Sequence, residues 1–289
     1  MIQFKDKQAT IFESSLFRTT ATVVETPDLV LVVDPNWLPL EVEAIRQFVA
    51  SVRKEKPLYL LFTHSDYDHI IGGNAFPEAR AIASGAFVEN PDHQSIVEQI
   101  LQFDDDYYIQ RDYGIAYPKV DVVVERDGQT LAIGNTLLTF YLAPGHNRDG
   151  IFTLLEDKTK PATGAVWLAG DYLCNVEFPY IYYSSVAYEN TLEKVGTILA
   201  AHKVRLMVPG HGDVATDQEE ILHRTQSALD YLRQLRQHVE RGDPFDLKKL
   251  WEQYHFPRVM KKFHEGNMAL LTKEFQSGST GKAIPANQP

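Results

Sequence analysis

The segment Thr63-His64-Ser65-Asp66-Tyr67-Asp68-His69-Ile70-Ile71-Gly72-Gly73 concentrates metal-capable side chains. His64, Asp66, Asp68 and His69 follow directly on the apolar run Leu58-Tyr59-Leu60-Leu61-Phe62. Such a run reads as a buried strand, so the cluster falls on the loop where that strand ends, a place where many α/β proteins carry their chemistry. Imidazoles and carboxylates this dense are costly to bury unless something satisfies them, and a divalent cation would. Taken alone, the segment also reads as a solvated polar loop.

Three later segments have the same grammar. Ala143-Pro144-Gly145-His146 follows the apolar run Leu137-Leu138-Thr139-Phe140-Tyr141-Leu142, and Leu168-Ala169-Gly170-Asp171 follows Ala165-Val166-Trp167. Val208-Pro209-Gly210-His211-Gly212-Asp213 follows Val204-Arg205-Leu206-Met207. Each is a strand, then a turn with glycine, then a His or Asp. Glycine lets the backbone turn sharply, and the strand fixes where the side chain points. The recurrence weighs against a chance motif.

The pattern resembles the metallo-β-lactamase-fold superfamily of metallohydrolases. Its first motif is His-x-His-x-Asp-His, followed by a separate His, a separate Asp and a final His. The match runs over roughly residues 10 to 215, and it is specific for the superfamily rather than for one activity. The resemblance implies an α/β fold, a four-layer αββα sandwich with the metals at one edge. It implies that His64, Asp66 and His146 hold one metal ion, that Asp68, His69 and His211 hold a second, and that Asp171 bridges them. Asp66 departs from the pattern, standing where the family has its second His. A carboxylate makes that position harder and more negative, shifting it away from soft metals. The flavodiiron branch also has a carboxylate here, a Glu, and holds two irons. Because Asp is shorter, direct ligation and ligation through water both stay open. The cofactor expected is two divalent ions, with zinc first and iron or manganese as alternatives.

Two ions sharing a water would lower its pKa from about 15.7 towards 7, giving hydroxide at neutral pH. In this reading Asp68 is the catalytic residue, orienting the nucleophile while it ligates. Arg148, two residues after His146, is expected to hold a substrate carboxylate or phosphate, with a surface salt bridge as the alternative. Tyr172, beside Asp171, is expected to donate a hydrogen bond to a substrate oxygen, as a tyrosine does in lactonases of this fold. Tyr180, Tyr182, Tyr183 and Tyr188 are alternatives, and packing is the plainer role for all of them. No nucleophile-elbow motif is present. The leading function is a hydrolase of an ester-like bond (lactone, thioester or phosphoester) in a small molecule. The alternative is a non-haem di-iron oxidoreductase related to the flavodiiron branch. A homodimer is a further expectation from the family's habit.

The elements that position these residues are legible around them. Ala21–Glu25 and Leu29–Val33 read as adjacent strands. Asp34 closes the second, either capping the turn or supporting the metal loop from behind. Glu41–Arg53 has helical spacing, with Val42, Ile45, Phe48 and Val49 on one face. Residues 91–117 read as a helical insert ending in Asp104-Asp105-Asp106-Tyr107-Tyr108, a lid or, more plainly, a solvated helix end. Val120–Val124 and Thr130–Leu142 resume the strands, with Asp127-Gly128 as the hairpin signal between them. A helix follows around Asn190–His202. From residue 217 to 275 the chain is helical, over Gln218–Val239, Asp246–Tyr254 and Val259–Phe275. His264 and Asn267 there resemble the His-x-x-Asn of a closing helix in the superfamily. The sequence thus reads as one domain over 1–275, with a disordered tail at 276–289. His93, His202, His223, His238, His255 and His264 are read as surface or packing residues.

Composition sets the outer bounds. The chain has 289 residues, 44% hydrophobic and 23% charged, with net charge −11 and pI about 5.4. That balance argues against a nucleic-acid partner held by a basic surface. The single Cys174 excludes an intrachain disulfide and is read as a small buried apolar residue. With no continuous apolar signal region at the N-terminus and no run of about 18 apolar residues, the expectation is a cytoplasmic protein without a membrane partner.

Overall fold

A computed structural model describes residues 1–254 and 256–278. Seven strands form one sheet in chain order: β1 (Ile2–Lys5), β2 (Ala9–Glu13), β3 (Thr20–Glu25), β4 (Val30–Val33), β5 (Leu58–Leu61), β6 (Arg80–Ser84) and β7 (Val122–Val124). Neighbours are antiparallel from β1 to β4 and parallel from β4 to β7. A second sheet of five strands uses β8 (Gln129–Ile133), β9 (Thr136–Leu142), β10 (Ile151–Asp157), β11 (Ala165–Leu168) and β12 (Val204–Val208). Its order is β12-β11-β10-β9-β8, and β11–β12 is its parallel pair. The helices are α1 (Pro39–Arg53), α2 (Tyr67–Ile70), α3 (Gly85–Val88), α4 (His93–Asp106), α5 (Ser185–Ala201), α6 (Gln218–Arg241), α7 (Leu247–Glu252) and α8 (Pro257–Gln276).

Strand alternation produces the layers. In β4, Val30 and Val32 pack with Val42, Ile45 and Val49 of α1. Leu31 and Val33 face the other way, into a core shared with Leu138, Phe140, Val166 and Leu168 of the second sheet. In that sheet Phe152, Leu154 and Trp167 turn outward under Leu192, Val195 and Ile198 of α5 and Leu232 of α6. The order is helix, sheet, sheet, helix: the αββα sandwich expected from the sequence, with α6–α8 as its helical C-terminal region. Strands buried on both faces need continuous apolar runs, which is why β4, β5 and β11 read as such.

Two local expectations are corrected. Asp127-Gly128 does not join paired strands, because β7 lies in the seven-stranded sheet beside β6 while β8 pairs with β9 in the other. The hairpin lies instead between Ile133 and Thr136, where Gly134 takes φ +56° and splits the run read as one strand. At the far end, Gln276 closes α8 and Ser277-Gly278 forms a turn. The rest of the tail expected to be disordered, 279–289, lies outside the described residues, as does His255. No helix among the described residues is long and apolar enough to cross a membrane.

The sandwich brings the ends of β5, β9, β11 and β12 to one edge. Leu168 of β11 is in register with Val208 of β12, so the Asp171 and His211 loops leave side by side. The sheets are stitched at that edge by Ile151 N–H to Thr63 O at 2.8 Å and Thr20 N–H to Gly210 O at 2.7 Å.

Candidate metal centre

The strand-end side chains converge in two groups. Ligand atoms of His64, Asp66, His146 and Asp171 lie within 4.8 Å of one another, and those of Asp68, His69 and His211 form a second such group. Asp171 reaches both: its Oδ2 is 3.3 Å from His146 Nε2 and 3.2 Å from His211 Nε2, and its Oδ1 is 3.1 Å from His69 Nε2. Each group thus offers two imidazoles and one carboxylate of its own, with Asp171 between them. Asp66 Oδ2 points inward, 3.1 Å from His146 Nε2 and 3.7 Å from His64 Nε2.

Each ring is aimed by its far nitrogen. His146 Nδ1–H donates to Tyr180 O at 2.6 Å, and His211 Nδ1–H to Phe17 O at 3.0 Å. His69 Nδ1–H donates to Asp34 Oδ2 at 3.0 Å. Thr63 Oγ1 also donates to Asp34 Oδ2, since a carboxylate only accepts. Its one proton so used, Thr63 Oγ1 accepts from His64 Nδ1–H at 3.0 Å. These bonds leave the Nε2 atoms of all four rings facing inward, the nitrogens that would ligate metal once deprotonated. Asp34, at φ +44°, therefore supports the metal loop from behind while it caps the Thr63 N–H at 2.9 Å.

The donor set fits a pair of cations. His64 Nε2, His69 Nε2 and Asp171 Oδ1 are buried with no hydrogen bond of proper geometry among the described residues, although His69 Nε2 and Asp171 Oδ1 lie 3.1 Å apart, and such orphans are rare unless an ion or another group completes them. Backbone economy points the same way: a Cβ on Gly210 would lie 1.9 Å from Asp171 Oδ1, so only glycine leaves room for the bridging carboxylate.

Without metal, the charges settle on one another. Burial alone would lower His146, but its hydrogen bond to the Asp66 carboxylate and the charge of Asp171 push it up to about 9. Burial is likewise outweighed at His211, which Asp171 and Glu177 push up to about 10. Burial would raise Asp66, yet the hydrogen bond from His146 and the His64 imidazole 3.7 Å away hold it well below the carboxylate range. Asp68 moves the other way, raised by burial and by Asp171 and Asp66.

The centre forms the floor of a cavity of about 710 Å³, lined by Asp66, Asp68, His146, Asp171 and His211. Arg148 lines it too, exposed and with no ion pair or hydrogen bond among the described residues, so the salt-bridge alternative falls away. Tyr182 and Tyr183 also line it. Tyr172 does not, which corrects its expected substrate contact. It is buried, and its hydroxyl donates to Pro144 O at 2.9 Å and accepts from His146 N–H at 3.2 Å. Its work is to hold the His146 loop. Tyr188 is buried against it, rings stacked at 4.3 Å.

The insert forms one wall, since Ser95, Ile96 and Gln99 of α4 line the cavity. Among the described residues its acidic end forms no metal group: Asp104 binds the Arg111 guanidinium through both oxygens at 2.7 and 2.8 Å. Cys174 likewise belongs to no metal group among the described residues, and burial pushes its thiol well up, away from a reactive thiolate. His93 stacks on Tyr117, His202 bonds Tyr141 and Glu156, and His264 packs beside Tyr231.

Several site residues carried no readable signal. Glu177 shares a ligand-distance group with Asp171 and His211, and burial pushes its carboxyl up to about 7. Asn147 Nδ2 donates to Asp66 Oδ1 at 2.5 Å. Asn267 of α8, fully buried, accepts from Ile181 N–H at 2.9 Å and donates to Pro179 O at 2.6 Å, so it brackets the Tyr180 carbonyl that aims His146. Of these only Asn267 lay in a segment with a hint, the His264-x-x-Asn267 spacing.

Comparison with known proteins agrees with this fold. The family model described as the metallo-beta-lactamase superfamily matches residues 15–159. A double mutant of the sec-alkyl sulfatase PisA1 superposes with TM-score 0.65 at 10% identity, over 98% of this chain and 52% of that one. The chain therefore spans about half the length of the sulfatase. A metallo-beta-lactamase family protein from Thermus thermophilus gives TM-score 0.61 at 16% identity, covering 96% of both chains. A metallo-beta-lactamase from Pontibacter korlensis gives 0.54 at 16%, over 80% of this chain and 98% of that one. No curated protein matches the sequence. At such identities the likeness is one of fold.

Proposed function

The chain belongs to the metallo-beta-lactamase superfamily, and from that premise we propose that it is a metal-dependent hydrolase of an ester-like bond (lactone, thioester or phosphoester) in a small anionic molecule. The observation that carries the reading is the pair of donor groups sharing Asp171, with buried unpartnered donor atoms, at the floor of an open cavity. Two divalent ions, zinc in the first instance, would be held by His64, Asp66 and His146 on one side and Asp68, His69 and His211 on the other, with Asp171 between. When bound, they supply Lewis acidity and a water acidified towards neutral pH.

The side chains supply the rest. Asp68 lies in the second group and lines the cavity, so its carboxylate can orient the attacking water and take its proton. Arg148 lines the cavity without an ion pair among the described residues, and in this reading would hold a carboxylate or phosphate of the substrate. Tyr180, Tyr182 and Tyr183 line the same cavity, and in this reading one of them would donate to a substrate oxygen.

A panel of lactones, thioesters and phosphoesters, run with metal-loaded and chelator-stripped protein, tests this. Turnover that disappears on stripping and returns with metal is expected; turnover indifferent to metal contradicts the reading. One observation favours a second reading. Asp66 gives each position two imidazoles with carboxylates, a set that also suits iron, as in a non-haem di-iron oxidoreductase. Two bound irons with a redox-active spectrum and no hydrolysis would move that reading ahead.

A further inference from the structure

A carboxylate is a less determinate ligand than an imidazole. It offers two oxygens, which can bind together, singly or through water, and its χ2 is soft. At Asp66 that freedom is removed. Asn147 Nδ2 donates to Oδ1 at 2.5 Å, and a carboxylate facing an amide can only accept, so the NH₂ end of Asn147 must face it. Oδ2 is left as the oxygen among the imidazoles, 3.1 Å from His146 Nε2. The anchor is itself fixed. Asn147 follows His146 on the short loop closed by Ala143 N–H to Gly150 O at 2.7 Å, and its own carbonyl accepts from Gly145 N–H at 2.8 Å. One loop thus delivers a ligand, His146, and the hold on a second, Asp66. Asp68, the counterpart in the other group, has no side-chain amide or hydroxyl on either oxygen among the described residues; it lies beside the rings of His69 and His211.

We propose that Asn147 is a positioning residue that holds Asp66 as a one-oxygen ligand of the first metal ion, so that the Asp66–Asn147 pair does here what a single imidazole does in the superfamily's usual motif. The proposal rests on the reading that this centre binds two metal ions.

The test is a titration of the metal-free full-length chain with Co²⁺, followed by its visible absorption and by competition with a chelator. The wild type takes up Co²⁺ in two resolvable steps. Asn147→Ala weakens one step by about 10- to 100-fold, the usual effect of removing a group that orients a ligand. It also alters the visible band of that step and leaves the other unchanged. Asn147→Asp, which sets a second carboxylate against Asp66 Oδ1, weakens the same step further. In an Asp66→His background, Asn147→Ala changes either step by less than about twofold, because the pair it served is gone. Wild-type Co²⁺ affinities in both Asn147 variants would overturn the proposal and leave the two-metal reading standing. Equal weakening by Asn147→Ala in the native and the Asp66→His backgrounds would overturn it as well, marking Asn147 as a general support of the loop. A wild-type chain that binds no Co²⁺ would remove both.

Discussion

Replacing Asp34 by Asn changes one atom in a buried side chain and should change which nitrogen of His69 carries a proton. Asp34 accepts three donors: Thr63 N–H at 2.9 Å, Thr63 Oγ1–H and His69 Nδ1–H at 3.0 Å. In the Asp34→Asn variant the amide oxygen can keep the Thr63 N–H, and the backbone at φ +44° tolerates Asn. The NH₂ group then replaces Oδ2. Thr63 can rotate its hydroxyl and accept from it, but His69 Nδ1–H is left facing a donor. The ring either keeps an unsatisfied buried donor, costing about 1–3 kcal/mol, or moves its proton to Nε2, the nitrogen facing the metal position. Both outcomes weaken metal binding at the second position, and the loss corresponds to about 10- to 100-fold in affinity. Chelator competition with Zn²⁺ measures this, and denaturant unfolding of the metal-free protein measures stability beside it. The expected result is a drop in one metal affinity larger than any drop in stability can account for. Full metal affinity in a destabilised protein would refute the reasoning and leave Asp34 as a turn cap alone.

Asp68→Ala and His146→Ala should each abolish hydrolysis in a chain that still folds, read by turnover beside circular dichroism; full activity in either purified variant would sink the proposed centre. Metal binding at pH 7.5 should release about three protons, from His146 and His211, raised to about 9 and about 10 without metal, and from His69, raised well above its usual value, which calorimetry in buffers of different ionisation enthalpy would count. The sign follows from those values: the imidazolium–carboxylate pairs stabilise the metal-free protein fully below about pH 6.5 and are lost as pH rises through about 9 to 10. Over the same window metal affinity climbs as the competing protons leave. Asn267→Ala should lower stability by about 1–3 kcal/mol for each of the Ile181 N–H and Pro179 C=O groups it strands, seen as a lower denaturation midpoint. Arg148→Ala should raise KM for an anionic ester while leaving metal content and the KM of a neutral ester unchanged.

The ligand-type residues were legible because their signal is local. An apolar strand, a glycine and a His or Asp sit within a few residues of one another, and two of the strands carrying them, β5 and β11, are buried throughout. The partition of those residues between two groups came from the family resemblance, and the spatial groups follow the same division. What escaped is what depends on distant segments meeting. Asn147 matters only because Asp66, from another loop, lies against its amide. Asn267 matters because α8 folds back over Pro179–Ile181. Tyr172 sits beside Asp171 in sequence, yet its side chain points away from the cavity into the loop of His146. The Asp127-Gly128 signal failed for a related reason: two runs that look like hairpin partners belong to different sheets, and nothing local records that.

That two cations complete the cluster around Asp171 is tested most directly by elemental analysis of the purified, reconstituted chain. About two divalent ions per chain are predicted, falling in Asp171→Ala, since that carboxylate serves both positions. A chain that retains no stoichiometric metal after reconstitution, and is unchanged by Asp171→Ala, would contradict it.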